Sequence, residues 1–239
     1  MLQTSLKHIH QLESWDCGLT CALIILLFAE QENNNVNLDS VNFNYYDDST
    51  IETKLRNISA PFLHSKSVWT VDVALLLAHQ GIRINLYTSF SSVVNPALED
   101  LDFYKDSFKQ DCIRVPILYK ELFKLMGKDE DYKPPCLILL EDLKKNLTSN
   151  FALYLVLVDA RLLECLTCSH YVSRDSFDGH YIILTHYDSI KDTFEFLNPA
   201  NSHSCCSMKS NTLESARFAL GTDNDAIEVI LPIHSKKLK

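Results

Sequence analysis

Apolar residues run almost without interruption over residues 19–29, close to the start of the chain. Because such a run leaves no polar face, it predicts a helix over residues 16–30 that is buried on all sides, with Asp16 as its N-cap. A second helix is predicted over residues 71–80, where Thr70 is a good N-cap and most of the following residues are apolar. The pattern therefore places two apolar helices in the first part of the chain.

Strand patterns dominate the later part of the chain. An alternating strand is predicted over residues 82–88, and a continuous apolar run predicts a buried strand over residues 151–160. Residues 179–200 are typical of a hairpin, and a last strand is predicted after a short helix that ends at Gly221. Between the early and late strands, residues 95–131 are predicted to be helical in pieces, and residues 134–150 are predicted to form a turn and a helix.

The order of these elements, helices first and mostly antiparallel strands later, predicts an α+β fold. No repeat or low-complexity linker interrupts the sequence, so we expect a single domain over residues 1–239. In this domain the buried N-terminal helix packs on a mainly antiparallel sheet. The apolar fraction of 46% and the charged fraction of 22% are ordinary for a globular protein with a well-developed core.

The formal net charge of −9, from 22 basic and 31 acidic residues, argues against nucleic acid or an anionic membrane surface as a partner. The first fifteen residues lack the apolar segment of a signal peptide. The longest uninterrupted apolar run falls well below the roughly 20 residues that span a bilayer. We therefore expect a cytoplasmic or nuclear protein without membrane contact, in which the eight cysteines stay reduced.

One set of polar residues suggests nucleophilic catalysis. Cys17 stands at the N-terminus of the first predicted helix, where the partial positive charge of a helix stabilises a thiolate, and Gly18 would let a substrate approach the backbone. His180 opens one strand of the predicted hairpin and Asn198 ends the other, so the amide could orient the imidazole. Gln11 could donate an N–H to a developing oxyanion.

At these positions the chain resembles the papain-like cysteine peptidases. The matching motifs are Gln-x5-Cys-Gly, Gly-His-Tyr-Ile-Ile-Leu and Asn-Pro, and "DCGLTC" is similar to the motif of peptidases that trim bacteriocin leaders. The resemblance implies a papain-like fold with Cys17 as nucleophile, His180 as general base and acid, Asn198 as orienting residue and Gln11 as oxyanion donor. The leader peptidases usually carry aspartate where Asn198 stands, whereas papain carries asparagine.

A narrower resemblance covers nearly the whole chain. The segments "WDCGLTC", "SVWTVDVALLL", "GHYIILTHYD", "FLNPA" and "ARFALGTDND" occur in the order found in the eukaryotic guanylyl-cyclase-domain-containing protein family. That family name implies conversion of GTP to cyclic GMP. A cyclase usually needs divalent metal ions held by carboxylates, together with basic groups near the α-phosphate.

The sequence offers little for such nucleotide chemistry. It has five glycines and no glycine-rich phosphate loop. Asp223 and Asp225 could hold Mg²⁺, but a polar turn before the last strand explains them more simply. Trp69, Thr70 and Asp72 fit a helix N-cap with a hydrophobic staple, and the wall of a substrate cleft is the alternative interpretation.

Four cysteines form a candidate zinc site. Cys165 and Cys168 have the CxxC spacing of metal ligands, and Cys205 and Cys206 supply a second thiol pair from another predicted loop. His170 and His203 lie close to these pairs in the sequence and add two further candidate ligands. The ordinary alternative is a set of free thiols in surface loops. Cys21, one helical turn after Cys17, is expected to be a core residue.

The function predicted from the sequence is therefore hydrolysis of an amide or thioester in a peptide or protein substrate, through a Cys-His-Asn triad that needs no cofactor. Two alternatives remain open. One is a guanylyl cyclase, which would need Mg²⁺ and would tolerate loss of the thiol. The other is a binding module that keeps the fold without catalysis. The sequence does not determine the oligomeric state.

Overall fold

A six-stranded antiparallel sheet organises the computed structural model, which describes residues 6–33, 47–129, 132–168, 176–201 and 205–231. Its strands are β1 (Ile84–Tyr87), β2 (Ala152–Asp159), β3 (Gly179–Asp188), β4 (Thr193–Leu197), β5 (Cys206–Lys209) and β6 (Ala226–Ile230). The spatial order is β1-β6-β2-β3-β4-β5, so the last of these strands along the chain lies between the first two. Every neighbouring pair is antiparallel.

Helices cover both faces of the sheet. Within the described residues they are α1 (Cys17–Asn33), α2 (Asp48–Ser59), α3 (Thr70–His79), α4 (Asp102–Lys105), α5 (Phe108–Leu125), α6 (Leu140–Thr148) and α7 (Ser210–Arg217). On one face, apolar side chains of α1, α2, α3 and α5 form the larger core. On the other face, α6 and α7 enclose the smaller core. No helix in these ranges is both long enough and apolar enough to cross a membrane.

The central strands are apolar on both sides because each contributes to both cores. Leu155 of β2 and Ile183 of β3 pack into the larger core, whereas their neighbours Tyr154 and Ile182 pack into the smaller one. Alternation of side chains across a strand gives this division. All eight residues of β2 are buried, which explains its continuous apolar run. The three-layer arrangement therefore follows from the pattern of the strands.

The α+β prediction is confirmed, and the predicted helices and strands lie close to their observed positions. Two elements were not predicted: α2, where the periodicity is weak, and β5, which begins within a pair of cysteines. The predicted N-cap of α3 is wrong by one residue. Trp69 precedes the helix and its N–H donates to Asp72 Oδ2 at 2.8 Å, whereas Thr70 lies in the first turn. The polar segment at residues 30–40, where the sequence predicts a loop after the first helix, falls largely outside the described residues.

Candidate functional site

A cleft of about 500 Å³ opens on the side of the larger core. It lies where the first residues of α1 meet the start of β3 and the turn that precedes β6. Residues 64–70, before and at the start of α3, form a further wall. Residues 103–110 and Leu157 of β2 also contribute to this cavity, which we call the cleft.

Cys17 lies in this cleft but is not placed as a reactive thiolate. It is the first residue of α1, as predicted, and 6% of its surface is exposed. Burial raises its pKa to about 11, and the nearby carboxylates of Asp16 and Asp178 act in the same direction. The partial charge at a helix N-terminus is worth up to about 2 kcal/mol, which burial outweighs here. The predicted lowering of the thiol pKa is therefore wrong.

Gly18 has a packing role rather than the predicted role of exposing the backbone. A Cβ atom at this position would lie 2.9 Å from the ring of Tyr181 and 3.0 Å from a methyl group of Val73. Such distances are shorter than real Cβ contacts, so only glycine fits without displacement of a neighbour. Gly18 lets α1 approach β3 and α3 closely.

The other three predicted catalytic residues, His180, Asn198 and Gln11, are not among the described residues that line the cleft. His180 Nε2 is 2.8 Å from Asn198 Oδ1, so the hairpin brings the imidazole and the amide together. The backbone N–H of Gln11 donates to the carbonyl of Pro199 at 2.9 Å, and its side-chain amide donates to the carbonyl of Glu13 at 2.7 Å. Among the described residues that line the cleft, Cys17 is the only member of the four proposed catalytic residues.

Asp225 is a strongly perturbed carboxyl of the cleft. It precedes β6, is 5% exposed, and accepts a hydrogen bond from the Thr70 hydroxyl through Oδ2. Its Oδ1 is buried and has no hydrogen-bond partner in the part of the chain that the structure describes. Burial, followed by the negative charge of Asp223, raises the pKa of Asp225 to about 8. Without a cation this carboxyl is therefore mostly protonated at neutral pH.

Asp223 lies in the same turn and also lines the cleft. Asp223 and Asn224 have left-handed backbone, with φ of 51° and 58°, a conformation that Asp and Asn tolerate better than most residues. Asn95 Nδ2 donates to Asp223 Oδ1 at 2.7 Å, and burial raises the pKa of Asp223. The polar turn expected from the sequence is present, and it brings two carboxyl groups to the cleft.

The wall formed by residues 64–70 is anchored by hydrogen bonds. Ser67 Oγ donates to Asp111 Oδ2 at 2.7 Å and accepts from Trp69 Nε1 at 3.0 Å. Arg114 pairs with both Asp111 and Asp72, at 2.9 Å and 2.5 Å. This network connects the wall to α3 and α5. It holds Lys66, whose φ is 51°, at the rim of the cleft.

Aromatic rings extend this wall. Trp69 and Tyr104 lie 5.1 Å apart between ring centroids, and Tyr104 stacks with Phe177 at 5.9 Å. The hydroxyl of Tyr104 donates to the carbonyl of Gly221 at 2.7 Å, which connects the aromatic group to the turn that carries the aspartates. The alternative interpretation of Trp69 as a cleft wall thus agrees with its position. Tyr104 and Lys66 were not predicted as site residues, because neither stands in a recognisable sequence motif.

The predicted zinc ligands lie elsewhere, at the far side of the sheet. The sulfur atoms of Cys165, Cys168 and Cys206 lie within 4.8 Å of one another, and we call these residues the cysteine cluster. Cys205 is not part of it, since its Sγ instead approaches the carbonyl of Cys206 at 3.9 Å. The two candidate histidines, His170 and His203, lie outside the described residues.

Comparison with known proteins identifies the class of the chain. A family model described as "Guanylylate cyclase" matches residues 6–229, which is nearly the whole chain. The chain belongs to this family. It is also similar to a protein of Arabidopsis thaliana named "Guanylyl cyclase 1", with 29% identity over 232 residues that cover 94% of this chain and 75% of the relative.

These matches correct the function predicted from the sequence. The resemblance to the guanylyl-cyclase-domain family is confirmed. The interpretation as a papain-like cysteine peptidase, a hydrolase with a catalytic triad, is wrong, because both matches point to a guanylyl cyclase-type domain. The structure supplies a physical reason that agrees with this correction. Burial keeps the Cys17 thiol protonated, whereas a peptidase of that kind requires a thiolate.

Proposed function

We propose that the chain is a guanylyl cyclase-type domain that binds GTP in the cleft and converts it to cyclic GMP. The family match and the name of the Arabidopsis relative support the reaction class. One structural observation carries the proposal for this cavity. Asp223 and Asp225 meet at a cleft large enough for a nucleotide, and one buried carboxylate oxygen of Asp225 has no partner among the described residues.

The two carboxyl groups suit Mg²⁺. This ion prefers oxygen ligands and commonly binds through one or two carboxylates together with substrate phosphates. Asp225 Oδ1 lacks a hydrogen bond within the described structure, and a cation there would offset the burial of the carboxylate. We assign Asp223 and Asp225 as the residues that would hold Mg²⁺. When bound, the ion would neutralise charge on the triphosphate.

Other residues of the cleft match parts of the nucleotide. Lys66 at the rim supplies a positive charge for the phosphates, and Trp69 contributes the small exposed part of its ring, which a purine can contact. Asp106, which also lines the cleft, provides carboxylate oxygens that can accept hydrogen bonds from the N1–H and N2–H groups of guanine. These groups would favour guanine over adenine, because adenine presents an acceptor at N1.

The reaction requires one displacement at phosphorus. The ribose 3′-oxygen bonds to the α-phosphorus, the bond from that phosphorus to the oxygen bridging to the β-phosphate breaks, and pyrophosphate leaves. The proton of the 3′-hydroxyl passes to water in the cleft. The residues of the chain contribute by holding the nucleotide in a reactive geometry and by placing positive charge beside the phosphates.

The proposal is tested with purified full-length protein. Binding of GTP and of ATP is measured by calorimetry with Mg²⁺ and with EDTA, and cyclic GMP is quantified by mass spectrometry. We expect Mg²⁺-dependent binding and conversion of GTP in the wild type and a loss of about 100-fold or more in Asp225→Asn. Cys17→Ser should retain activity, because the thiol has no role in this reaction.

Matched variants separate the site from general effects of charge. Asp100→Asn removes an exposed carboxylate outside the cleft, and Lys124→Gln removes an exposed lysine, as controls for Asp225→Asn and Lys66→Gln. Failure to bind GTP, or equal conversion by the wild type and Asp225→Asn, would contradict the proposal. Binding of GTP without any conversion would reject the cyclase and favour the alternative of a binding module.

A further inference from the structure

The cysteine cluster joins a loop to the edge of the sheet. Cys165 and Cys168 lie in the loop that follows β2, and Cys206 is the first residue of the edge strand β5. The backbone N–H of Leu166 donates to the carbonyl of Ser207 at 2.8 Å, so this loop runs along the outer side of β5. The two segments are brought together by the fold although β3 and β4 lie between β2 and β5 in the sheet.

The spacing of the sulfur atoms matches a shared metal ion better than a disulfide. Cys168 Sγ and Cys206 Sγ are 3.6 Å apart, and all three sulfurs lie within 4.8 Å of one another. A zinc–sulfur distance of about 2.3 Å with tetrahedral angles places neighbouring sulfurs about 3.8 Å apart. A disulfide would require about 2.05 Å. The separation of the Cys168 and Cys206 sulfurs is therefore close to that of two ligands on one zinc ion, and the sulfur of Cys165 lies near enough to be a third.

A buried amide supports the sulfur atoms from outside the cluster. Asn201 is 2% exposed, and its Nδ2 donates to Cys168 Sγ at 3.0 Å and to Cys206 Sγ at 3.2 Å. N–H groups directed at sulfur stabilise thiolates, and such outer contacts orient the ligands of metal sites. Cys168 and Cys206 are themselves buried, so their sulfurs face protein rather than bulk water.

We propose that Cys165, Cys168 and Cys206 bind a structural zinc ion that fastens the loop after β2 to the edge strand β5. Soft thiolate ligands select zinc over magnesium or calcium. Among the described histidine, cysteine and acidic residues, the cluster has these three members, so the fourth position belongs to a ligand outside that set. This proposal keeps three of the four cysteines that the sequence predicts as zinc ligands. Cys205 is left out because its sulfur is directed at a backbone carbonyl.

The proposed ion would also stabilise the turn that follows β4. Asn201 lies in this turn, and its N–H donates to the carbonyl of Asn198 at 3.1 Å. Asn198 in turn contacts His180 at the start of β3. Zinc would thus secure the β4–β5 connection at one end of the sheet. This proposal is independent of the function proposed for the cleft, which lies on the other face.

The experiment uses full-length protein purified under reducing conditions. After loading with zinc and dialysis, metal content is measured by mass spectrometry, and Co²⁺ is used as a second probe because thiolate–cobalt charge transfer absorbs in the near ultraviolet. We expect about one zinc per chain, bound through sulfur. Cys206→Ser should remove binding, whereas the adjacent Cys205→Ser should retain it. Asn201→Ala should weaken zinc binding by about 10-fold to 100-fold.

A measurement on the wild type does not depend on the folding of variants. Zinc should protect Cys165 from alkylation by about 10-fold or more while exposed Cys112 and Cys136 react at the same rate with and without metal. Absence of stoichiometric zinc, or equal zinc binding by Cys205→Ser and Cys206→Ser, would overturn the proposal. A Cys168–Cys206 disulfide that forms in place of metal binding, seen as the loss of two hydrogens by mass spectrometry, would also overturn it.

Discussion

The cleft and the cysteine cluster lie on opposite faces of one sheet. They differ in whether their buried polar atoms have hydrogen-bond partners. In the cleft, Asp225 keeps a carboxylate oxygen without a partner among the described residues, and its pKa is raised to about 8. In the cysteine cluster, the sulfurs of Cys168 and Cys206 both accept a hydrogen bond from Asn201. In the cleft a buried carboxylate oxygen lacks a hydrogen-bond partner among the described residues, whereas in the cysteine cluster the buried sulfur atoms have a hydrogen-bond donor.

Under the two proposals, this difference would distinguish a site for an exchangeable ligand from a site for a permanent ligand. A buried carboxylate without a partner weakens the fold until a cation or a proton arrives, which is a common property of functional sites. Thiols held by an amide and by the contact of a loop with an edge strand would form the preorganised structural site proposed above. Oxygen ligands favour Mg²⁺ and sulfur ligands favour zinc, so the two faces should also differ in metal preference.

The largest expected effect concerns Asp225 and pH. Its folded pKa of about 8 lies above the unfolded value of about 3.9, so its contribution to stability is present at low pH and is lost as pH rises through 8. Without metal, the free energy of unfolding of the wild type should fall by about 4 kcal/mol more between about pH 5 and pH 9 than that of Asp225→Asn. Urea titrations with EDTA measure this difference.

Asp100→Asn, which changes an exposed carboxylate, should behave as the wild type in the same titrations. Added Mg²⁺ should restore stability at high pH only where Asp225 is present. A parallel decline in the wild type and Asp225→Asn would remove the contrast between the two faces.

The next effect compares cysteines. With a pKa of about 11, Cys17 at neutral pH has a thiolate fraction about a hundredfold lower than that of a thiol with the ordinary pKa of about 9. Iodoacetamide should therefore label exposed Cys136 at least about a hundredfold faster than Cys17 at neutral pH. Peptide mass spectrometry over time gives both rates. Faster labelling of Cys17 than of Cys136 would show that the helix N-terminus prevails over burial.

A smaller effect is expected from Gly18→Val. The added side chain would meet Tyr181 and Val73, so we expect a loss of about 1–3 kcal/mol in stability through overpacking. Gly127→Ala is a useful control, because no atom lies within 4 Å of a Cβ at Gly127 and only its φ of 68° opposes substitution. Thermal unfolding measures the stability of the Gly18→Val and Gly127→Ala variants against that of the wild type. A Gly18→Val protein as stable as the wild type would show that α1 can move away from the sheet without cost.

The smallest effect concerns the cleft wall. Ser67→Ala removes the hydroxyl that connects Asp111 and Trp69, and should cost about 1 kcal/mol of stability while weakening GTP binding through a less ordered Lys66. Ser207→Ala serves as control on the other face, because Ser207 contacts the loop after β2 through its backbone carbonyl. Calorimetry of both variants gives stability and binding. Equal behaviour of the two would indicate that the wall is held by packing alone.

Local patterns predicted the elements that depend on local interactions. The apolar run of α1, the continuous run of β2 and the β3–β4 hairpin all lie close to their predicted positions. The edge strand β5 was missed because it is short, with four residues, and its apolar character comes from the sheet it joins. α2 was missed because only three of its positions are buried, which leaves a weak pattern.

The site depends on contacts that no local pattern records. Thr70 and Asp225 are 155 positions apart, and their hydrogen bond determines that the turn before β6 faces the cleft. For Cys17, position in the helix was predicted correctly but the depth of burial was not, and burial decides its pKa. Motif resemblance identified the family because long matching segments occur in order, whereas the chemistry of one cysteine motif misled the functional interpretation.

The position of β6 has a consequence for synthesis on the ribosome. This strand pairs with both β1 and β2, yet it follows all the other strands along the chain. Because domains emerge from the N-terminus at roughly 5–20 residues per second, β1 and β2 must wait with unpaired edges for several seconds. Nascent chains released before residue 226 would therefore expose these two edges and depend on chaperones for protection from aggregation.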